Sequence, residues 1–160
     1  RIDLIEAVLR NKSENYSYDY EKINLVIPVK QLEFIELLSN HLDTKIFKRS
    51  VESIVRAEKI CKKYPQKISK SIKYSDLLLV EEKKFFNILK PIINSKKNLC
   101  WNAKNYLDQF LLIEPVVTSF FENVLVMDED PVKCGKRLKL CQILADWSKR
   151  HLDLKAIVFP

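Results

Sequence analysis

The segment around which the chain is organised reads EPVVTSFFENVLVMDEDPVKCGKRLKL, residues Glu114–Leu140. Pro115 predicts the start of a short apolar helix, because its fixed φ suits the first helical turn. Asp130 followed by Pro131 predicts the start of a second, longer helix, since the carboxylate can accept backbone N–H groups that lack a partner inside the helix. Between the two helices, Val124–Met127 is the one segment for which a short strand is the alternative to a helix or loop.

Outside this segment, apolar residues recur at intervals of three and four, which is typical of amphipathic helices. The predicted helices cover Ile2–Leu9, Tyr20–Ile27, Val29–Leu42, Thr44–Lys63, Leu77–Asn94, Cys100–Ile113 and Val132–Leu152. We expect Pro28 to stop the second of these helices and Pro91 to kink or break the fifth. Residues 153–160 end apolar and are expected to pack back onto the core. The sequence predicts an all-α fold, a helical bundle of about six to eight helices, forming one domain over residues 1–160.

The composition excludes several classes of function. Gly135 is the only glycine, and phosphate-binding loops need glycines where the backbone approaches a phosphate. No apolar run approaches the roughly 20 residues that a membrane-spanning helix needs. Because the chain begins at Arg1 with neither a methionine nor a signal peptide, we expect it to be an excised piece of a longer protein.

The residue types that usually build metal or nucleophilic sites do not form a recognisable pattern. The chain has no C-x-x-C pair and two histidines, His41 and His151, so we expect buried reduced thiols in a cytoplasm or plastid stroma. The cysteines are Cys61, Cys100, Cys134 and Cys141. The acidic triplet Asp128–Asp130 could bind a divalent cation, but helix capping is the favoured interpretation. No acid–base constellation surrounds either histidine.

Positive charge is concentrated in one part of the chain. The formal net charge is +7, and the stretch Thr44–Tyr74 has two acids, Glu52 and Glu58, against ten bases. Within the predicted helix Thr44–Lys63, most of these bases lie on the side opposite the apolar residues, with Glu52 among them. We call them the cationic face: Lys45, Lys48, Arg49, Arg56, Lys59 and Lys63. Such a face is either solvated surface or a site for an anionic partner, and phosphate backbones are the commonest such partner.

Two further features are candidates for binding nucleic acid. A smaller basic cluster begins the helix after Pro131, where cations oppose the helix dipole. It comprises Lys133, Lys136, Arg137 and Lys139. Trp101 lies between lysines and could either stack on a base or pack in the core.

Several motifs resemble those of one known family. The pattern P-V-x-x-F-F-(D/E)-x-V-x-V-M-x-E-D is followed approximately over Pro115–Asp130, with one extra residue before Phe120, and R-x-N-R-L-x-L-L is followed in part by Arg137, Leu138 and Leu140. Cys134 and Lys136 depart from that second motif. Shorter matches are Asp3–Leu9, Phe47–Ile54 and Asp153–Val158. In these residues the chain resembles the C-terminal region of the beta subunit of bacterial-type glycyl-tRNA synthetase.

The resemblance implies a DALR-type anticodon-binding domain, non-catalytic in itself, within a glycine–tRNA ligase. Its partners would be the anticodon arm of glycine tRNA, the rest of the beta chain and the alpha subunit, with no membrane contact. No cofactor is expected in this chain, since ATP and Mg belong to the catalytic part of the parent enzyme. The expected tRNA contacts are Lys48, Arg49, Arg56, Lys59 and Lys63, with Trp101 and Arg137 as further candidates. The alternative is a helical docking module of a synthetase without direct RNA contact.

Overall fold

A computed structural model describes residues 2–9, 26–94, 102–149, 152–157 and 159. These residues contain the helices α1 (Ile2–Leu9), α2 (Val26–His41), α3 (Lys45–Lys63), α4 (Val80–Asn94), α5 (Ala103–Asn123) and α6 (Pro131–Ser148). Short 3-10 turns occur at Pro65–Lys67, Tyr74–Asp76 and Leu154–Ala156. The described ranges contain no strand, so the all-α class is confirmed and Val124–Met127 is a loop.

The prediction that Pro115 starts a helix was wrong, because this proline lies inside α5. Proline within a helix removes one backbone hydrogen bond and costs about 3 kcal/mol. On the same helix, Val117 and Phe120 are completely buried beyond the proline. Burying each such side chain contributes about 1.5–3 kcal/mol, so continuing the helix is favoured over breaking it.

Two other prolines are also accommodated inside helices. Pro28 lies in the first turn of α2, where the backbone N–H groups have no partner in the helix, so it does not stop a preceding helix at Ile27. The residues 20–25 of that predicted helix lie outside the described ranges. Pro91 lies in the last turn of α4, and the helix continues through it to Asn94. The predicted break at Pro91 is therefore not observed.

The core is built around α5, which packs against α2, α3 and α4, while α6 packs against α3 and α4. Five phenylalanine side chains have no exposed area, and several of their rings pair across the helices: Phe34, Phe47, Phe85, Phe110 and Phe120. The Phe47 and Phe110 ring centroids are 5.2 Å apart, and those of Phe85 and Phe120 are 4.9 Å apart. These distances are typical of favourable aromatic pairs, which tie α3 and α4 to α5.

The C-terminal residues pack back onto the helices, as predicted. Leu152, Leu154 and Ile157 are buried. The Asp153 N–H donates to the Ala7 carbonyl oxygen over 2.9 Å, which joins this segment to α1. The Phe159 ring centroid lies 6.3 Å from that of Phe47. This packing closes the apolar side of α3.

Candidate nucleic-acid interface

Local sequence signals explain both the limits and the orientation of α3. The Thr44 hydroxyl accepts the Phe47 N–H over 3.3 Å and caps the first turn. Pro65 ends the helix, because the residue before a proline is disfavoured in the helical conformation, and Tyr64 is indeed non-helical. The apolar side of α3 is buried through Phe47, Val51, Ile54 and Cys61, as predicted. The opposite side must therefore face solvent.

The structure brings the cationic face together on the outside of the molecule. Lys45, Arg49, Arg56, Lys59 and Lys63 are exposed, and Lys48 is half-buried. Arg49, Arg56 and Lys63 recur every seven residues, which places them about 10 Å apart along the helix axis. None of these cations is sealed against another helix, so the geometry that phosphate binding requires is present.

The two arginines of the cationic face are held in place by side chains from α5. Arg49 Nη1 lies 3.7 Å from Glu114 Oε1, and Glu114 is itself fixed by the Thr118 hydroxyl at 3.1 Å. The Arg56 guanidinium lies 4.5 Å from the centre of the Phe121 ring, within the range of a cation–π contact. Both arginines are thus partly ordered before any ligand binds.

Two lysines of the cationic face lie near aromatic rings. Lys48 Nζ is 5.8 Å from the Phe159 ring centre, and Lys63 Nζ is 5.4 Å from that of Tyr64. At such distances and exposures the contact is worth about 0.5–1 kcal/mol. The ammonium groups are therefore only weakly restrained and remain free to meet an anion.

A cleft separates the exposed sides of α3 and α5. Its volume is about 280 Å³. Its lining residues are Arg49, Glu52, Ser53, Arg56, Thr118, Phe121 and Glu122. Sequence reasoning did not place Phe121 and Glu122 in a site, although both belong to the F-F-(D/E) motif. The sequence did contain a signal for this placement, because two adjacent aromatic residues on a helix point in different directions. In the structure, Phe120 is buried and Phe121 is half-exposed.

A second group of cations surrounds Glu58, which is buried at the edge of α3. Glu58 Oε1 lies 2.6 Å from Lys62 Nζ, 3.0 Å from Lys155 Nζ and 3.5 Å from Lys149 Nζ. Burial opposes ionisation, but the three ammonium groups outweigh it and lower the pKa of Glu58 to about 2. This cluster fastens α3 to the C-terminal segment. Its lysines are committed to Glu58, which separates them from the cationic face.

Arg137 does not lie on an exposed surface. Its side chain is 6% exposed. Its Nε donates to Glu82 Oε1 over 2.6 Å, and its Nη1 donates to Asp128 Oδ2 over 2.6 Å and to the Leu125 carbonyl over 2.9 Å. Burial opposes the charge, yet hydrogen bonds to Glu82 and Asp128 raise the pKa of Arg137 above its ordinary value. The structure thus places Arg137, one of the predicted RNA contacts, inside the fold, where it joins α6 to α4 and to the α5–α6 loop.

Lys136 and Lys133 of the second basic cluster also lie near acids, whereas Lys139 Nζ donates to the neutral Gln142 Oε1 over 2.8 Å. Lys136 Nζ donates to Asp76 Oδ2 over 2.9 Å, and this contact lowers the pKa of Asp76. Lys133 lies 3.9 Å from Asp130, which also caps α6 as predicted by accepting the Val132 N–H. The unfavourable position of these cations at a helix N-terminus is thus relieved inside the fold. Trp101, the remaining predicted contact, lies outside the described residues.

The described residues show neither a metal cluster nor a membrane span. Among them, no group of three or more histidine, cysteine or acidic side chains is placed to hold a metal ion. Across the same ranges, no helix has the length and apolar character to cross a membrane. Cys61, Cys134 and Cys141 are buried free thiols, and burial raises the pKa of Cys61 to about 11. The Cys61 thiol is therefore a poor nucleophile.

Comparison with known proteins agrees with the sequence motifs. The chain is 25% identical over 167 residues to the glycine–tRNA ligase beta subunit of Lactobacillus gasseri, covering 98% of this chain and 23% of that protein. It is 31% identical over 163 residues to the Thermodesulfovibrio yellowstonii beta subunit, covering 90% of this chain and 22% of that protein. The chain is similar to the C-terminal end of the glycine–tRNA ligase beta subunit.

The resemblance predicted from the motifs is thereby confirmed. A third glycine–tRNA ligase beta subunit, from Streptococcus pyogenes serotype M49, is 29% identical over 147 residues, covering 92% of this chain and 19% of that protein. This chain spans about a fifth of the length of these relatives. No protein-family model matches it. Because the match to the Lactobacillus gasseri protein covers 98% of the chain, it includes both helices that line the cleft.

Proposed function

We propose that this chain binds the anticodon arm of glycine tRNA as a DALR-type domain of a glycine–tRNA ligase. The observation that carries the proposal is the cationic face of α3. Its six cations and the single acid Glu52 give a local charge of 6 − 1 = +5 on one surface. From Lys45 to Lys63 this surface extends over about 27 Å, at 1.5 Å per residue. A row of this length can follow an RNA backbone over several phosphates.

Solvation alone explains the cationic face less well than an anionic partner does. Exposed helices are usually stabilised by alternating charges three or four residues apart, each pair contributing about 0.2–0.5 kcal/mol. On α3, like charges occur at those spacings instead, since Lys59 lies three residues after Arg56 and four before Lys63. Each pair of like charges destabilises the helix by a similar amount. Two other groups of cations are paired with acids, at Glu58 and at Asp76, whereas on the cationic face only Arg49 has an ion pair among the described residues, with Glu114 at 3.7 Å. An RNA backbone would supply the missing negative charge and release counterions on binding.

In the proposed assembly, catalysis takes place in other parts of the enzyme. The chain itself contributes positioning, since base contacts and phosphate contacts together fix how a folded RNA lies on a protein. ATP and Mg would act in the catalytic part, and the cytoplasm or plastid stroma would be the compartment. The proposed partners are glycine tRNA, the rest of the beta chain and the alpha subunit.

The first test compares RNA hairpins that carry the glycine anticodon with hairpins whose anticodon bases are altered. We expect filter binding to show tighter binding of the glycine anticodon, because unpaired loop bases are accessible to side chains. Equal affinity for every loop would contradict anticodon recognition and leave only binding to phosphates. Absence of binding at low salt would contradict RNA binding altogether.

A second candidate function is docking onto another part of the synthetase. The observation that favours it is a set of apolar side chains that are 60–70% exposed: Leu78, Val80, Leu125 and Val132. The Leu78 N–H and the Leu125 carbonyl are both held by the buried Glu82–Arg137 pair, so the two loops lie close together. An apolar patch of this kind often marks a protein interface.

Charge reversal separates the two candidates. Arg49→Glu with Arg56→Glu removes four units of charge from the cationic face without touching the apolar patch. If the chain binds tRNA, aminoacylation by the assembled synthetase falls, and the loss is largest at low salt, because salt weakens the wild-type phosphate contacts more than those of the variant. Unchanged aminoacylation would favour docking. The matched variant Leu78→Ser with Leu125→Ser should weaken subunit association if docking is the function.

A further inference from the structure

We infer that the cleft between α3 and α5 receives one unpaired nucleobase of the bound RNA, while lysines beside the cleft hold the phosphates. This inference rests on the proposed function and divides the cationic face into two parts with different ligands. Arg49 and Arg56 line the cleft. Lys48, Lys59 and Lys63 lie on the same helix outside it.

The charge inside the cleft does not suit a phosphate. Arg49 and Arg56 contribute +2, and Glu52 and Glu122 contribute −2, so the lining is neutral overall. Glu114, behind Arg49, adds a further carboxylate at 3.7 Å. A phosphate placed here would meet as many like charges as opposite ones. A neutral group that both donates and accepts hydrogen bonds would satisfy both pairs of side chains.

Two of the side chains that line the cleft end in flat groups. Phe121 is half-exposed on one wall, and the planar Arg56 guanidinium lies 4.5 Å from the centre of its ring. Aromatic faces and guanidinium planes are the groups on which proteins stack unpaired bases. A volume of about 280 Å³ is near the lower end of small-molecule sites, which span about 300–1,000 Å³. One base fits this description better than a whole nucleotide does.

The polar groups of the cleft predict which base is preferred. Carboxylates such as Glu52 and Glu122 accept hydrogen bonds from an exocyclic amino group, as on cytosine N4. Arg49 and Arg56 can donate to the neighbouring ring nitrogen or carbonyl oxygen. Uracil has a second carbonyl oxygen in place of that amino group, and this oxygen would face a carboxylate with no hydrogen between them. The cleft should therefore prefer cytosine to uracil.

The experiment measures the affinity of the chain for two RNA hairpins by fluorescence anisotropy. The hairpins share one stem and have loops of cytidine only or of uridine only. The wild-type chain should bind the cytidine loop at least about fivefold more tightly, the lower end of what a paired base contact provides. In the variant Glu52→Ala with Glu122→Ala, the ratio should fall to within about twofold of one, with the uridine loop bound more tightly than by the wild-type chain because two negative charges are gone.

The matched control is Glu33→Ala with Glu36→Ala, which removes the same charge from exposed positions on α2. It should keep the wild-type preference for cytidine. If the wild-type chain binds both loops equally, or if the Glu52/Glu122 variant keeps the wild-type preference for cytidine, the base-binding cleft is overturned while RNA binding itself stands. Failure of both hairpins to bind would overturn the proposed function as well.

Discussion

The structure makes a sharp prediction about Arg137, which the sequence alone suggested as an RNA contact. Replacing it by methionine keeps most of the side-chain volume but removes the partner of Glu82, whose side chain is 5% exposed. Glu82 also accepts the Leu78 and Leu79 N–H groups at 2.8 and 3.0 Å at the start of α4. Its carboxylate would remain buried with those two donors alone.

The expected cost of Arg137→Met is large. Three hydrogen bonds of 2.6, 2.6 and 2.9 Å are lost, to Glu82, Asp128 and the Leu125 carbonyl. Removing one partner of a buried ion pair typically costs about 3–5 kcal/mol, because the other charge is left uncompensated. Native proteins are stable by only about 5–15 kcal/mol, so this variant should be strongly destabilised.

Urea unfolding followed by far-ultraviolet circular dichroism measures this loss. Lys133→Met is the matched control, because it removes a cation from the same helix. Lys133 lies 3.9 Å from Asp130, and both of these side chains are about two-fifths exposed. Such a pair contributes about 0–1 kcal/mol. A loss below about 1 kcal/mol for Arg137→Met, or weakened RNA binding at unchanged stability, would refute the structural role assigned to Arg137.

Three further predictions concern stability. Gly135→Ala should lower the midpoint of thermal unfolding, because the added Cβ would lie 2.9 Å from the Lys67 carbonyl oxygen. This steric clash outweighs the preference of about 1 kcal/mol for alanine over glycine in a helix. A higher midpoint would contradict the close packing at Gly135. Ionised Glu58 should contribute fully to the free energy of unfolding above about pH 4.5, and this contribution should be lost as the pH falls towards 2, since the pKa of Glu58 is lowered on folding. Glu58→Gln should weaken the pH dependence of the unfolding free energy in urea titrations from pH 2 to 6. The same pH dependence in variant and wild type would contradict this role of Glu58. Tyr106→Phe should cost about 1 kcal/mol in urea unfolding, because the hydroxyl donates to the Ser148 carbonyl over 3.0 Å in the core; no loss would count against that bond.

Local patterns in the sequence were sufficient for much of the fold. The apolar side of α3, its cap at Thr44 and the start of α6 at Asp130 all depend on residues within one or two turns. Pro115 misled the prediction because its effect is decided by tertiary packing. The burial of Phe120 five residues further along keeps α5 intact, and that burial depends on Phe85 of another helix.

The candidate site shows the same division between local and distant information. The cationic face could be predicted because its charges repeat along one helix. The role of Arg137 could not, since Glu82 lies 55 residues away in the sequence. The cleft was also hidden, because Glu122 and Phe121 come from α5 while Arg56 comes from α3. Its two walls are joined only by the packing of these helices.

The salt dependence of hairpin binding tests the central claim most directly. In the variant with Lys48, Lys59 and Lys63 changed to alanine, the slope of log affinity against log salt concentration should become shallower by about 2, at about 0.7 for each lost phosphate contact to single-stranded RNA. The control changes Lys70, Lys84 and Lys104, which are exposed on other elements, and should leave the slope almost unaltered. Equal slopes for the two variants would contradict a phosphate-binding role for the cationic face.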